Sequence, residues 1–116
     1  MHEAAVVAGL LEILDRKAEE AKIARITKVR VVVGRLRGLD PRQLVAIFEP
    51  MAEGRRAEGA EVEIVDVIPR LRCRACDTEF DAAGWVVTCP TCGAEDGEVI
   101  AGRELHVESF DGVRNP

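Results

Sequence analysis

The chain lacks tyrosine and carries one tryptophan and three phenylalanines, so aromatic residues make up 3% of its 116 positions. Its core must be assembled from Val, Ile, Leu and Ala. It also lacks an excess of positive charge: 16 Lys and Arg against 21 Asp and Glu leave a formal net charge of −5. Nucleic-acid binding needs a basic surface that displaces counterions, so that class of partner is excluded. No apolar run approaches the roughly 20 residues of a membrane span, and no basic n-region with a following apolar stretch marks the chain for export. A reducing cytoplasm is the expected setting. Catalytic constellations are missing too. There is no Gly-rich phosphate loop with its Lys, and with His2 and His106 as the two histidines no Ser or Cys nucleophile is visibly paired with a base. An enzyme is not expected.

What the chain does have is four cysteines in two pairs, Cys73-Arg-Ala-Cys76 and Cys89-Pro-Thr-Cys92-Gly93. CxxC spacing lets two thiolates on one tight turn face a common centre, and two such turns make a tetrahedral S4 cage. Two disulfides or four unrelated buried thiols are the competing arrangements, and a reducing compartment disfavours the disulfides. The same S4 geometry suits iron, and the second knuckle resembles that of a rubredoxin, a small electron carrier. The gap between the pairs, residues 77–88, is much shorter than in a rubredoxin, and Phe80 and Trp85 are its only aromatic residues, so zinc is the expected metal. A closed four-cysteine zinc site has no open coordination position. Its job is to stabilise folding, not to activate water.

Periodicity supplies the framework. Val6, Val7, Leu10, Leu11, Ile13, Leu14, Ala18 and Ala21 recur at three- and four-residue steps, predicting an amphipathic helix over residues 4–22. Residues 26–33 read as a strand with Thr27, Val29, Val31 and Val33 on one face. A turn-rich loop follows from Gly34 to Gly38. Asp40, Pro41 and Gln43 supply the N-cap, first-turn proline and capping-box partner of a second helix. Leu44, Ile47, Phe48 and Met51 are its buried stripe, Pro50 removes a donor near its end, and Gly54 stops it after about Glu53. Residues 61–68 form a second strand and 105–110 a third, with the tail from Asp111 expected to fray.

A strand, helix, strand order permits a right-handed crossover, with two strands parallel and the third antiparallel. The expected architecture is α+β: two helices on a three-stranded mixed sheet, with a CxxC…CxxC zinc-ribbon subdomain inserted before the last strand. Residues 1–69, completed by 101–116, form the α+β domain, and 70–100 the ribbon. Arg70, Arg72 and Arg74 read as a solvated basic edge of the ribbon, and His106 as a structural strand residue.

The N-terminus is a second candidate site. Met1 is expected to be retained, because His2 is too large a neighbour for trimming. The α-amine, the His2 backbone amide and its imidazole then offer three coplanar nitrogens, a set that favours Ni(II) or Cu(II) over tetrahedral Zn(II). Glu3 could add a donor, and Asp40 another if its loop folds back. Each also has an ordinary explanation: Glu3 favours a helix start through the dipole, and Asp40 serves as an N-cap.

Met1-His2-Glu3 before an amphipathic helix, Val33-Gly34-Arg35-Leu36-Arg37-Gly38-Leu39-Asp40-Pro41, Ala57-Glu58-Gly59-Ala60-Glu61-Val62 and the two CxxC pairs occur in that order over nearly the whole chain. Together they resemble the HypA/HybF family of hydrogenase-maturation nickel metallochaperones. The resemblance implies nickel held by His2 as principal ligand, with the Met1 amine, Glu3 and Asp40 assisting, and zinc held by Cys73, Cys76, Cys89 and Cys92. It implies Ni(II) as cargo for the large subunit of a [NiFe]-hydrogenase, in some relatives urease and its maturation proteins, with a HypB-like GTPase as partner to a monomer or homodimer. Pro50, inside a helix, and Asp77, where glycine would be easier, are its local departures. The alternative is a zinc-ribbon interaction adaptor without nickel function. It would need a basic or aromatic surface and would leave the Met-His-Glu start unexplained.

Overall fold

The computed structural model describes residues 2–82 and 87–114. Met1, a candidate nickel ligand, and Trp85 lie outside the described residues. In chain order the elements are α1 (Glu3–Glu20), β1 (Ile23–Gly34), a 3-10 turn (Arg35–Arg37), α2 (Pro41–Met51), β2 (Glu61–Val67), β3 (Arg70–Cys73), β4 (Glu79–Asp81), β5 (Gly97–Ala101) and β6 (Leu105–Arg114). They fall into two compact units. The first takes the chain up to Val32, Gly38–Val65 and the segment from His106; the second takes Val33–Arg37 and Asp66–Leu105. Among the described residues no helix is long and apolar enough to cross a membrane.

In the first unit α1 and α2 pack together beside a mixed sheet of order β2-β1-β6. Two pairs give the β1 and β6 directions. Thr27 Oγ1 donates to the Asp111 carbonyl at 3.2 Å, and Arg30 lies 3.8 Å from Glu108. Partner numbers fall as β1 numbers rise, so the two strands are antiparallel. Along β1 and into the turn after it the β2 partners rise together, from Lys28 with Glu63 to Arg35 with Asp66, as a parallel crossover through α2 requires. The core is aliphatic, as the shortage of aromatics demands. Val7, Leu11, Leu14 and Ala18 of α1, Ile26, Val29 and Val31 of β1 and Leu44 and Phe48 of α2 are all buried.

Several expectations change in detail. The α1 stripe is narrower than its periodicity indicates, since Ile13 is 38% exposed and Ala21 lies beyond the helix. Thr27 does not belong to the buried face of β1. Ile26 and Val29, three residues apart, are both fully buried, so the two-residue alternation slips once between them. The 34–38 loop contains a 3-10 turn. Pro50 is accommodated in the last turn of α2, which ends at Met51, and Gly54 then adopts φ 77°. The tail from Asp111 does not fray, because β6 continues to Arg114. Gly112 explains how: a Cβ there would lie 2.6 Å from the Arg25 carbonyl, so only glycine lets the strand run this close to β1.

The connection between α2 and β2 is held by arginines that periodicity does not reveal. Arg55 donates through Nε and Nη2 to Asp15 Oδ2 at 2.9 and 2.7 Å. Arg56 donates through Nη1 to the Ile23 carbonyl while its own carbonyl accepts from Ile26 N, both at 2.7 Å.

The second unit holds an antiparallel sheet of order β4-β3-β5, in which Leu71 sits opposite Phe80 on one side and Val99 on the other. The chain on either side of it closes over a glycine contact. Gly34 N donates to the Glu104 carbonyl at 2.7 Å and Leu36 N to the Gly102 carbonyl at 2.9 Å.

Candidate metal centres

The two cysteine knuckles are built alike. In the first, Cys73 N donates to the Thr78 carbonyl at 2.9 Å and Asp77 N to the Cys73 carbonyl at 2.8 Å; in the second, Cys89 N donates to the Ala94 carbonyl and Gly93 N to the Cys89 carbonyl, both at 2.9 Å. Each turn needs a left-handed residue directly after its second cysteine. Gly93 supplies it at φ 76° and Asp77 at φ 63°. Glycine adopts that conformation freely, while a residue with a Cβ is strained there by about 1–2 kcal/mol, less for Asp. Asp77→Gly is therefore expected to raise stability by up to about 1 kcal/mol and Gly93→Ala to lower it by about as much. Urea unfolding of the two variants beside the parent checks both signs.

The four sulfurs all lie within 4.8 Å of one another. Cys73 Sγ is 3.5 Å from Cys92 Sγ, and Cys76 Sγ is 3.6 Å from Cys89 Sγ. No disulfide joins them. Four Zn–S bonds of about 2.3 Å in a tetrahedron put the sulfurs about 3.8 Å apart, so the two pairs at 3.5 and 3.6 Å lie within a few tenths of an ångström of that spacing and the others stay within 4.8 Å. Its electrostatics also call for a cation. The Cys92 amide draws the Cys89 thiol down to about 6, with burial opposing and the Thr91 amide adding. The Thr78 hydroxyl, whose Oγ1 lies 3.2 Å from Cys76 Sγ, lowers the Cys76 thiol. The Ala94 amide favours a Cys92 thiolate, yet Cys73, burial and the other two sulfurs push that thiol up to about 12. Such a cluster favours thiolates at Cys89 and Cys76 and resists one at Cys92 until a positive ion offsets the crowding. Thr78 and Thr91 escaped the sequence reading. The only available signal was their position within two residues of a cysteine.

Arg70 and Arg72 of β3, and Arg74 just after it, do not form a free basic edge. Arg70 contacts Asp81 at 2.8 Å and Glu79 at 3.5 Å, Arg72 contacts Glu98 at 2.9 Å, and Arg74 contacts Asp96 at 2.8 Å. The antiparallel register sets acidic residues of β4 and β5 opposite Arg70 and Arg72, and Arg74 and Asp96 pair just beyond the strand ends, so what reads as a charged edge is a ladder of cross-strand pairs.

At the other candidate site, His2 is the N-cap of α1. Its carbonyl accepts from Val6 N at 3.0 Å, while its side chain makes no capping bond and is exposed. Glu3 opens the helix. Asp40, 37 positions later, comes to it: Asp40 N donates to Glu3 Oε2 at 3.4 Å. The loop thus does fold back on the N-terminus. The Asp40 carboxylate is itself engaged as the cap of α2, with Oδ1 accepting from Arg42 N at 2.9 Å. Among the described residues, the four cysteines are the one cluster of three or more ligand-type side chains, so Glu3 and Asp40 are neighbours without a closed cage around them. His106 is exposed on β6.

Comparison with known proteins gives one answer. Residues 1–112 match the family described as hydrogenase/urease nickel incorporation, metallochaperone, hypA. The hydrogenase maturation factor HypA of Chlorobaculum tepidum is 38% identical over 110 residues, covering 95% of this chain and 97% of that protein. Its namesake from Caldanaerobacter subterraneus subsp. tengcongensis is 34% identical over 113 residues, covering 96% and 98%. The solution structure of the Ni metallochaperone HypA from Helicobacter pylori matches with a TM-score of 0.71 at 25% identity, over 99% of this chain and all of that one. Sequence and fold agree from end to end, and the chain belongs to the HypA family of hydrogenase/urease nickel-incorporation metallochaperones.

Proposed function

We propose that this chain binds Ni(II) at its N-terminus, through the Met1 amine, His2 and Glu3 with Asp40 alongside, and passes it to a [NiFe]-hydrogenase during maturation. The observation that carries the reading is the meeting of Glu3 with the Asp40 amide at 3.4 Å, next in the chain to a His2 imidazole that caps nothing. A ring held at a helix start but committed to no internal bond is available to a metal, and the helix fixes where it begins. Planar nitrogen donors from the first two residues suit nickel, and a carboxylate within reach adds a weak oxygen donor. An exposed site with few protein ligands also suits a carrier that must release its cargo. Urease is a second destination on the same reading.

Zn(II) is the metal we assign to Cys73, Cys76, Cys89 and Cys92. It would supply a fixed tetrahedral anchor that holds the two knuckles together, with no coordination position left for a reactant. The α+β domain then handles nickel and the ribbon zinc. A HypB-like GTPase is the partner this reading assigns, the cytoplasm its setting, and the chain itself performs no reaction.

Calorimetric titration of Ni(II) into untagged, zinc-loaded protein tests the assignment. Micromolar-class binding, about −8 kcal/mol, is expected for the parent. His2→Gln keeps the initiator methionine and is expected to weaken binding by at least about tenfold, the loss of one good ligand. Equal affinity in the two proteins would move nickel away from His2, and absence of binding in both would leave a zinc-ribbon interaction module.

A further inference from the structure

We propose that the outer edge of β2, with the trough between it and α2, docks an extended peptide in which apolar and basic residues alternate. β2 pairs with β1 on one side and is the last strand of its sheet. Along Glu61–Val65 its outward backbone groups therefore face no strand partner among the described residues, the situation in which an added strand gains main-chain hydrogen bonds. Beside that edge two hollows of about 240 and 490 Å³ share Val45 and Val62 and so form one trough. Phe48 lies in its floor, Ile64 continues its wall, and Val45 stands 40% exposed on the α2 side. A largely apolar trough, with Arg42 and Glu49 also in its lining, beside an open edge suits a strand whose side chains drop into it.

Alternation selects the peptide. Val62 and Ile64 line the trough, while Glu61 and Glu63 are exposed between them, Glu63 lying 3.6 Å from Lys28 on β1. An added strand repeats that two-residue period, so every second side chain falls on the trough and the ones between fall beside the two glutamates. Glu61 has no ion-pair partner among the described residues, and neither has Glu49 at the trough rim. Valine or isoleucine alternating with lysine or arginine answers both faces. The same acids argue against a second copy of the chain, because edge-to-edge pairing would bring two sets of Glu49, Glu61 and Glu63 together on chains that each carry −5. This inference does not rest on the nickel site.

The test uses the full chain and a capped, fluorescein-labelled peptide of alternating valine and lysine, beside one of the same composition with its valines and lysines in separate blocks. The alternating peptide is expected to bind at least about tenfold more tightly, and its amide chemical-shift changes to fall on Glu61–Val65 and around Val45. Glu61→Lys and Val45→Lys, both at exposed positions, are each expected to weaken it about tenfold with the spectrum of α1 unchanged. Equal binding of the two peptides would reduce the effect to general charge attraction and overturn the proposal, as would shifts centred elsewhere or no binding. Concentration-dependent dimerisation by sedimentation that excludes the peptide would give the edge to a second copy instead.

Discussion

Cys89→Ser is expected to cost the second unit its folded structure while leaving the helices of the first in place. Between Asp66 and Leu105 the buried hydrophobic side chains among the described residues are Leu71, Ala82 and the cysteines Cys73 and Cys89. Full burial of a leucine is worth about 1.5–3 kcal/mol, whereas ordering the backbone costs about 1–2 kcal/mol for every residue. Strands of four, three and five residues with one leucine between them cannot offset that cost. The surface ion pairs add at most about 1 kcal/mol each. The cage must supply the difference, and structural zinc sites yield an apparent 10–16 kcal/mol or so near neutral pH. Serine at position 89 removes the thiolate that forms most readily and one of the two buried sulfurs. Metal content should fall, and the amide signals of residues 70–101 should collapse toward random-coil positions while those of α1 and α2 stay dispersed. A chelator should reproduce the change in the parent. Dispersed ribbon signals in metal-free Cys89→Ser would show that the sheet stands without the cage.

The second large effect is expected from a single methyl group. In Gly34→Ala the new Cβ would overlap the carbonyl carbon and oxygen of Gly102 and lie 2.6 Å from Arg103 N, all backbone atoms that cannot rotate away. Gly102 cannot give ground, since it already sits at φ 120° with Pro69 Cα 3.0 Å from where its own Cβ would be. Relief requires separating the two segments, and the bonds from Gly34 N to Glu104 and Leu36 N to Gly102 go with the contact. Overpacking costs about 1–3 kcal/mol and each lost hydrogen bond about 0.5–1.5 kcal/mol, so a loss of about 3–5 kcal/mol is expected. Gly9→Ala is the control. Nothing lies within 4 Å of its Cβ position in α1, and the same chemical change should add about 0.5–1 kcal/mol through helix propensity. Equilibrium denaturation of the pair checks both, and a Gly34→Ala protein as stable as Gly9→Ala would remove the close contact from the account.

What can be read from the residues alone follows the range of the forces involved. The cysteine cage was legible because CxxC is local: the turn that aims each pair is written in four consecutive residues and the one after. The α2 start was legible for the same reason, and Asp40 does cap Arg42 N. Its meeting with Glu3 was visible only as a condition, because nothing local in residues 3 or 40 encodes a contact across 37 positions. The ribbon strands were hidden by their charge. Arg70, Arg72 and Arg74 look like an unpaired basic edge until Glu79, Asp81, Asp96 and Glu98 are brought opposite. Gly112 misled in the other direction. Glycine after aspartate reads as a loop, yet here its missing side chain is what allows β6 to continue beside Ile23 and Arg25.

Those paired arginines set how the ribbon is met by other molecules. A row of uncompensated guanidinium groups would project a field over about a Debye length and draw acidic surfaces in from solution. Along β3 and at Arg74 just after it each guanidinium has a carboxylate within 3.5 Å, so little of that positive field reaches outward. Acidic partners therefore gain no long-range attraction on this face, and selectivity among them falls to shape and apolar contact after collision rather than to steering before it.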